Sequence, residues 1–574
     1  MRLRDRLPNY LTEADILDYE TESSYIIYQD GVETIASNSH TGVILSHNIN
    51  PRVVFNAVRT AMASGGHLVV KHGTYTLDAT GGATWDAPDS IWIQGEGPTT
   101  ILNLNGCNLR IFNVNNVRVT DMKIIGAWSL KVEMNADHHD FVFQNITFNV
   151  TGTTDPGALY MWAQNCTISN IWVDKCVFNT CAMTGLILSG GGGAPLVKNF
   201  WLTDSYAVSC GAGGLWCTGF DIAEGNNLTD AFVINCKAEL SWESGFHVES
   251  ARNLINVNLV DCISINNNQK GGGSTYGAGF ICSKGMKFIN CISNVNKYGF
   301  LGGSQGTQTT ELIDCTDIGS PTGFYFHATG STGQLIFKNC TSINATTKGV
   351  LIQDAYNVYG EFNVITPVSG HALAVHLGGN GIQLRNSYIK VHVYYPDSAT
   401  QTAVFMNYCI NVTIEGDIST DETYPLYISN STDIVVQNMH INSTGTSGIF
   451  LDTTLDSIFI KDTIIENVAG VPALTNGIQN TGTAGAVRCD RESIDIKDVT
   501  TPYIACVFKS NWGTSTGTGA EQAINHLLWA TPTIVMLTDI ELNAIPYQSA
   551  AAAADHIHVT AALNQDWGWY VRCD

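Results

Sequence analysis

The chain has 574 residues, of which 44% are hydrophobic and only 14% are charged, and its formal net charge is −23. The charged fraction is low against the quarter or so that is usual in globular domains, so the composition excludes an intrinsically disordered chain. The acidic balance disfavours nucleic acids and anionic membrane surfaces as partners, because both are bound through basic residues.

Membrane insertion and secretion signals are not indicated. No apolar run reaches the roughly 18 residues of a membrane-spanning helix, so we expect no insertion. The N-terminal stretch MRLRDRLPNYLTEADILDYE begins with basic residues but continues without an apolar segment, so no signal peptide is predicted. The 16 cysteines lack the CxxC pairs of zinc sites and are scattered, so we predict neither a metal centre nor a disulfide framework.

The first predicted elements lie before residue 80. Residues 23–45, SSYIIYQDGVETIASNSHTGVIL, predict a β-hairpin, and residues 1–45 are assigned to an N-terminal attachment and hairpin region. Residues 51–78, PRVVFNAVRTAMASGGHLVVKHGTYTLD, predict a short amphipathic helix, a Gly-Gly turn and a strand.

A repeat follows. Short apolar runs end in Asn or Asp followed by Cys, and successive cysteines are 26, 29, 24 and 25 residues apart. A Gly-Phe pair recurs in phase with them. The cysteines are Cys236, Cys262, Cys291, Cys315 and Cys340, with Cys176 and Cys210 assigned to the start of the same column, and the Gly-Phe pairs end in Phe220, Phe246, Phe280, Phe300 and Phe324.

A period of this length with several short strands in each unit predicts a solenoid whose coils stack about 4.8 Å apart. Stacking turns each repeated residue into a ladder. Cysteine and phenylalanine are expected in the core, and the Asn or Asp before each cysteine in a turn. We therefore predict an all-β protein in which residues 46–500 form a parallel β-helix.

The segment at residues 51–78, together with the repeat, resembles the pectate-lyase-like family of right-handed parallel β-helix proteins, which includes viral tailspikes. The resemblance implies that the N-terminal helix caps the solenoid, whose open end would otherwise expose strand edges. It further implies a homotrimer, a virion or extracellular location, and a virion baseplate or tail partner bound through the N-terminal region. It does not identify a substrate, because this fold serves many chemistries.

The repeat stops near Cys506, and the β runs that follow are broken by Gly, Pro and Asn. Residues 501–574 resemble the small β-sandwich modules that end many viral fibres, and the resemblance implies capping, trimerisation or binding. Trp567, Trp569 and Tyr570 suit core or subunit contacts better than a sugar platform.

Alternation along the Gly-Phe strands predicts candidate catalytic residues. Phe220 and Ile222 are expected to face inwards and Asp221 outwards, and one coil later His247 and Glu249 are expected outside. Asp221 would then lie directly below His247. Glu249 would lie about 8 Å from Asp221, since one coil contributes about 4.8 Å and two residues about 6.6 Å.

That separation lies within the roughly 6.5–9.5 Å of inverting glycosidases, which use one carboxylic acid to protonate the leaving oxygen and one carboxylate to activate water. We predict Asp221 as the base, oriented or tuned by His247. Glu249 is the predicted acid, because the nearby Glu243 would raise its pKa.

Aromatic residues are predicted to flank these carboxylates. Trp216, Trp242 and Tyr276 each precede a repeat glycine by three residues, so we expect them to stack and to hold sugar rings. Glu224 and Glu239 are further candidates for substrate binding. The competing interpretation is a solvated polar face, with the aromatic column packed under a loop or against another subunit.

Together with these candidate residues, the resemblance to tailspikes implies a viral tailspike or related secreted enzyme that binds and hydrolyses a cell-surface polysaccharide without a cofactor. One alternative is a polysaccharide lyase on the same fold, which would want Ca²⁺ and a basic residue at the groove, where Lys237, Arg252 and Lys284 are the nearby candidates. Another is a receptor-binding or structural fibre without enzymatic activity.

Overall fold

The computed structural model describes residues 25–193, 195–212, 214, 217–249, 253–270, 277–282, 284–302, 307–327, 333–365, 373–379, 383–395, 402–467, 474–482, 487–490, 493–504, 506–508, 510–516, 521–525, 534–539, 550–552, 556–560 and 566–572. The chain divides into two compact units, residues 1–301 and residues 302–574.

Unit 1 opens with an antiparallel sheet and one helix: β1 (Tyr25–Asp30), β2 (Glu33–Asn38), β3 (Ile44–Asn48) and α1 (Pro51–Ala61). The helix begins where the side chain of Asn50 accepts a hydrogen bond from the Arg52 amide, with proline at the first position. Its apolar face is buried, and the Phe55 ring packs against Tyr75 and Trp85 at 6.1 and 5.9 Å. The predicted capping helix is therefore present, and it covers the first coil.

The other strands of unit 1 are β4 (Gly66–Val70), β5 (Gly73–Thr76), β6 (Thr84–Asp86), β7 (Ile91–Gln94), β8 (Thr100–Leu104), β9 (Asn108–Phe112), β10 (Val117–Gly126), β11 (Leu130–Met134), β12 (His138–Val150), β13 (Gly157–Gln164), β14 (Thr167–Asp174), β15 (Val177–Asn179), β16 (Thr184–Gly191), β17 (Leu196–Thr203), β18 (Tyr206–Val208), β19 (Phe220–Glu224), β20 (Asn227–Ile234), β21 (Lys237–Glu239), β22 (Phe246–Glu249), β23 (Leu254–Val260), β24 (Ile263–Ile265), β25 (Ala278–Cys282), β26 (Met286–Ile289), β27 (Ile292–Asn294) and β28 (Tyr298–Gly302).

Each coil of unit 1 adds one strand to each of three parallel sheets. Sheet A contains β6, β9, β11, β13, β16, β19, β22, β25 and β28; sheet B runs from β4 and β7 to β23 and β26; and sheet C runs from β5 and β8 to β24 and β27. Every strand pairs with its equivalent on the next coil, as in β19 with β22, where Phe220 pairs with Phe246. The parallel β-helix is thus confirmed.

The predicted phenylalanine ladder fills the core under sheet A. Phe220, Phe246, Phe280 and Phe300 are buried, and successive ring centroids are 5.2, 5.0 and 4.9 Å apart. The preceding glycines are required by the close approach of the coils. A Cβ on Gly245, for example, would lie 2.9 Å from the Gly279 carbonyl oxygen, so only glycine fits at this position.

The cysteine ladder is also confirmed, with one correction. Cys236, Cys262 and Cys291 are buried, and the Asn or Asp before each adopts positive φ, a conformation that these residues tolerate. Their side chains form the expected polar ladder: the Asn290 amide donates to Asp261 at 2.7 Å. Cys210 does not begin this column. The strand register places Ser205 between Cys176 and Cys236, and Cys210 instead follows Cys181 in a second column.

Buried sulfur gives a testable consequence. Burial raises the pKa of the Cys176 thiol to about 12, so the reactive thiolate is rare at neutral pH. Fourteen of the 16 cysteines are free and buried, and the side chains of the other two, Cys282 and Cys573, lie outside the described part of the chain. We expect a thiol-reactive dye at pH 8 to label no more than two cysteines rapidly in the folded protein and all 16 in guanidinium. Rapid labelling of more than two would contradict the ladder.

Unit 2 repeats the arrangement of coils with β29 (Thr310–Ile313), β30 (Thr316–Ile318), β31 (Thr322–His327), β32 (Leu335–Ile343), β33 (Lys348–Gln353), β34 (Val358–Ile365), β35 (Leu373–Gly378), β36 (Leu384–Tyr395), β37 (Thr402–Asn407), β38 (Cys409–Thr420), β39 (Tyr424–Ser443), β40 (Ser447–Ile460), β41 (Thr463–Asn467), β42 (Leu474–Asn480), β43 (Val487–Cys489), β44 (Ile494–Lys497), β45 (Val499–Ile504) and β46 (Val507–Phe508). Parallel pairing continues to Phe508, opposite Cys489.

The C-terminal module begins at Ser510. Its strands are β47 (Ser510–Thr516), β48 (Glu521–Asn525), β49 (Ile534–Asp539), β50 (Ala550–Ala552), β51 (His556–Thr560) and β52 (Asp566–Arg572). They form two three-stranded antiparallel sheets, in the orders β47-β52-β49 and β48-β51-β50. The described part of the chain contains no helix long and apolar enough to cross a membrane.

Candidate functional site on the outer face of sheet A

Two columns of residues in strand register run along sheet A in unit 1, at the positions that alternation assigns to its outer face. One column contains Asp86, Arg110, Lys131, Tyr160, Ile187, Asp221 and His247, and the other contains Phe112, Glu133, Trp162, Ser189, Glu224 and Glu249. Neighbours in a column are one coil apart, about 4.8 Å.

Asp221 pairs with His247 across β19 and β22, as predicted, and Asp221 Oδ2 lies 3.8 Å from His247 Nδ1. Both residues are buried all the same: Asp221 is 3% exposed and His247 4%. Strand alternation predicts the side of the sheet on which a residue lies but not how exposed the residue is.

A register shift in β19 places Glu224 beside the predicted acid. The pairing jumps between Asp221 and Ala223, so the exposed Glu224 is opposite Glu249. Glu249 is still two strand positions beyond His247, which preserves the separation of about 8 Å from Asp221 that was expected from the sequence. The sequence pattern missed the alignment of Glu224 with Glu249, because a bulge adds one residue to one strand only.

Glu243 lies in the turn that leads into β22 and is fully buried. Its backbone amide donates to the Cys217 carbonyl at 3.0 Å, and its carboxylate lies 3.9 Å from the Lys270 ammonium of the next turn. Lys270 was not among the predicted basic residues of the groove, since turn lengths vary between coils and obey no periodic rule.

Glu239 lies on sheet C and is not part of the sheet A columns. Its carboxylate accepts a 2.6 Å hydrogen bond from the Tyr206 hydroxyl and pairs with Lys237 at 2.6 Å. The bonds from Lys237 and Tyr206 lower the pKa of Glu239. Glu239 and Lys237 therefore form an ion pair on sheet C and lie apart from the candidate carboxylates of sheet A.

The predicted aromatic column is described only in part. Trp242 is half-buried in the turn before β22, where its amide donates to the Cys210 carbonyl at 2.8 Å. Trp216, Tyr276 and Arg252 lie outside the described residues, as does the side chain of Glu249.

Two aromatic residues that the sequence pattern missed lie on the same face, two coils before Asp221. Tyr160 and Trp162 are half-buried on β13, and the Lys131 ammonium lies 5.4 Å from the centre of the Tyr160 ring. Burial, reinforced by nearby carboxylates, raises the pKa of Tyr160 to about 12. Extending the repeat back from Gly219 through Gly185 to Ala158, the position opposite Gly185, would have aligned this strand.

The first coils of this face carry a network of two basic and two acidic side chains, whose formal charges cancel. Arg110 donates to Asp86 at 2.6 Å and lies 3.5 Å from Glu133, which also pairs with Lys131 at 3.2 Å. Among the described residues, no group of three or more His, Cys, Asp or Glu side chains could hold a metal ion. The face therefore offers carboxylates, imidazole and aromatic rings.

Residues 322–494 match the family model described as "Right handed beta helix region". No curated protein matches the chain. Similar solved structures include the tailspike gp61 of Pseudomonas phage phi297, at 9% identity, 91% coverage of this chain, 92% of that chain and a TM-score of 0.29. The tailspike gp49 of Pseudomonas phage LKA1 has 10% identity, 92% and 94% coverage and a TM-score of 0.33.

A variant tailspike of E. coli bacteriophage HK620, in complex with a hexasaccharide, has 10% identity, 91% and 89% coverage and a TM-score of 0.30. Similarities at this level carry no inference about what this chain binds. The match to residues 322–494 agrees with the parallel coils of both units, and the fold of these coils is a right-handed parallel β-helix.

Proposed function

We propose that the chain binds a polysaccharide along the outer face of sheet A in unit 1 and hydrolyses it there. The observation that carries the proposal is the strand register. It brings Asp221, His247, Glu224 and Glu249 to adjacent positions on two successive coils. The same face carries the ring of Trp162 two coils away, about 10 Å, where it could support a neighbouring sugar.

In the proposed mechanism, Glu249 protonates the leaving glycosidic oxygen while Asp221 removes a proton from the attacking water. A separation of about 8 Å leaves room for that water between the carboxyl groups. The water attacks from the face opposite the leaving group, so the configuration of the anomeric centre is inverted. His247 holds the Asp221 carboxylate from the next coil, at 3.8 Å. Asp221 is only 3% exposed, so the proposed reaction requires a path by which water reaches its carboxylate.

A second pair is favoured by exposure. Glu224 is open to solvent and lies one coil from Glu249, about 4.8 Å. This is close to the 5–5.5 Å or so between the carboxyl groups of retaining enzymes. The product's anomeric configuration, followed by NMR during the first turnovers, distinguishes the pairs: inversion supports Asp221 with Glu249, and retention supports Glu224 with Glu249.

The reaction type is tested by incubating the protein with host envelope polysaccharide. We expect new reducing ends without the ultraviolet absorbance of unsaturated uronates, which is the result of hydrolysis. Absorbance would instead show a lyase, for which the Lys270 ammonium near Glu243 would be the basic candidate. Binding without new ends would show a receptor-binding fibre and contradict the catalytic part of the proposal.

The resemblance to tailspikes also supports a proposal for assembly. We propose a homotrimer in the virion, attached to a baseplate or tail partner through residues 1–45, with residues 501–574 contributing to trimerisation. Sedimentation equilibrium at micromolar concentration should give three times the mass of 62.0 kDa. A stable monomer would contradict it.

A further inference from the structure

Unit 2 carries a groove of about 640 Å³ that is separate from the residues of the proposed active site. It runs along the outer face of the sheet formed by β34, β36 and β38. Three asparagines, Asn357, Asn386 and Asn411, form one side of it. Tyr359, Tyr388 and Thr413 form its floor in strand register.

The floor changes from large to small side chains within the groove. The rings of Tyr359 and Tyr388 stack at 5.5 Å with an angle of 16° between their planes, and Tyr359 is 39% exposed. The next residue in the column is Thr413, which is too small to cover the far face of Tyr388. An aromatic face beside empty volume suits the C–H surface of a sugar ring.

The asparagine side supplies the hydrogen-bonding groups that hydroxyls require. The Asn411 amide donates to Asn386 Oδ1 at 3.0 Å, and this bond leaves both side chains with further donor and acceptor capacity. All three asparagines are exposed at the rim. An aromatic floor with amide groups along one edge is the combination that fixes a sugar ring in one orientation.

Charged side chains two residues further along the strands of the floor disfavour an acidic ligand. Lys390 lies between Glu361 and Glu415 in strand register, and its ammonium is 3.9 Å from Glu361. Glu415 accepts the hydrogen bond of the Tyr388 hydroxyl. The three side chains sum to one negative charge, which repels a uronate or a phosphate.

We propose that this groove is a second, non-catalytic carbohydrate site that binds an uncharged sugar ring of a polysaccharide on the face of Tyr388. The site does not depend on hydrolysis in unit 1. Its ligand is recognised by stacking and neutral hydrogen bonds, so its affinity changes little with ionic strength.

The experiment uses the fluorescently labelled full chain carrying Glu249→Gln, so that binding is measured without cleavage. The probe is an array of immobilised bacterial capsular polysaccharides and O-antigens. Adding Tyr388→Ala should weaken retention on neutral glycans about tenfold, the size expected when stacking is lost. Tyr388→Phe keeps the ring and should stay within about twofold. Tyr394→Ala is the matched control, because Tyr394 is a 55% exposed tyrosine on the same strand, outside the groove.

Retention should be unchanged between low and high salt. The proposal is overturned if Tyr388→Ala binds like its parent, if no glycan is retained, or if only anionic glycans are retained and salt releases them. Hydrolysis is measured separately, with the unsubstituted chain. If that chain hydrolyses no glycan but binding depends on Tyr388, the proposed activity is contradicted and this second site is supported. If the chain hydrolyses a glycan but Tyr388→Ala does not change binding, the proposed activity is supported and this second site is contradicted.

Discussion

Replacing Glu249 with glutamine should lower kcat on the susceptible polysaccharide by at least about a hundredfold, the scale of general acid catalysis. The substitution removes the transferable proton but hardly changes the shape of the side chain. Asp221→Asn should have a similar effect if Asp221 is the base, whereas Glu224→Gln should have it if Glu224 is the nucleophile. Initial rates of reducing-end formation measure all three variants.

Glu33→Gln provides the matched control, because the Glu33 carboxylate is exposed on β2, away from sheet A. It should retain full activity. Trp242→Ala should mainly raise KM, since a stacked ring stabilises the ground and transition states alike. Full activity of Glu249→Gln would show that the active groove lies elsewhere and that these carboxylates belong to an ordinary polar surface.

Phe246→Ala should lower the free energy of unfolding by about 3–5 kcal/mol, the usual result of truncating a buried phenylalanine. Phe246 is fully buried between Phe220 and Phe280, with ring centroids 5.2 and 5.0 Å away. Removing the Phe246 ring leaves a cavity in the middle of the ladder, and the hydrogen-bonded coils on either side cannot move together to fill it. The guanidinium midpoint of unfolding measures the effect.

Phe232→Ala is the matched control on the preceding coil. Phe232 is half-buried on the outer side of sheet B, where it stacks on Trp201 at 6.1 Å. Removing an outer ring leaves no enclosed cavity, so the midpoint should shift much less. Equal shifts for the two variants would contradict the assignment of the Gly-Phe repeat to the core.

The sequence predicted the ladders because stacking makes equivalent positions repeat. Alternation within a strand then told inward from outward residues, so Phe220 and Asp221 were assigned to the correct sides of sheet A. Asparagine and aspartate before the cysteines were also predictable, since few other residues accept positive φ.

Other features depend on information that a repeat does not contain. The bulge that aligns Glu224 with Glu249 breaks the alternation at one position. The burial of Asp221 and His247 does not follow from strand alternation, which predicts only the side of the sheet on which a residue lies. The strand that carries Trp162 was missed because its Gly-Phe signal has decayed to Ala158-Leu159.

The most direct test of the proposed site is a crystal structure of the full-length Glu249→Gln variant with an oligosaccharide prepared from the polysaccharide that the protein binds. The proposal predicts sugar rings on the outer face of sheet A between Trp162 and His247, with a glycosidic oxygen within hydrogen-bond reach of residue 249. An oligosaccharide bound elsewhere, with that face empty, would contradict it.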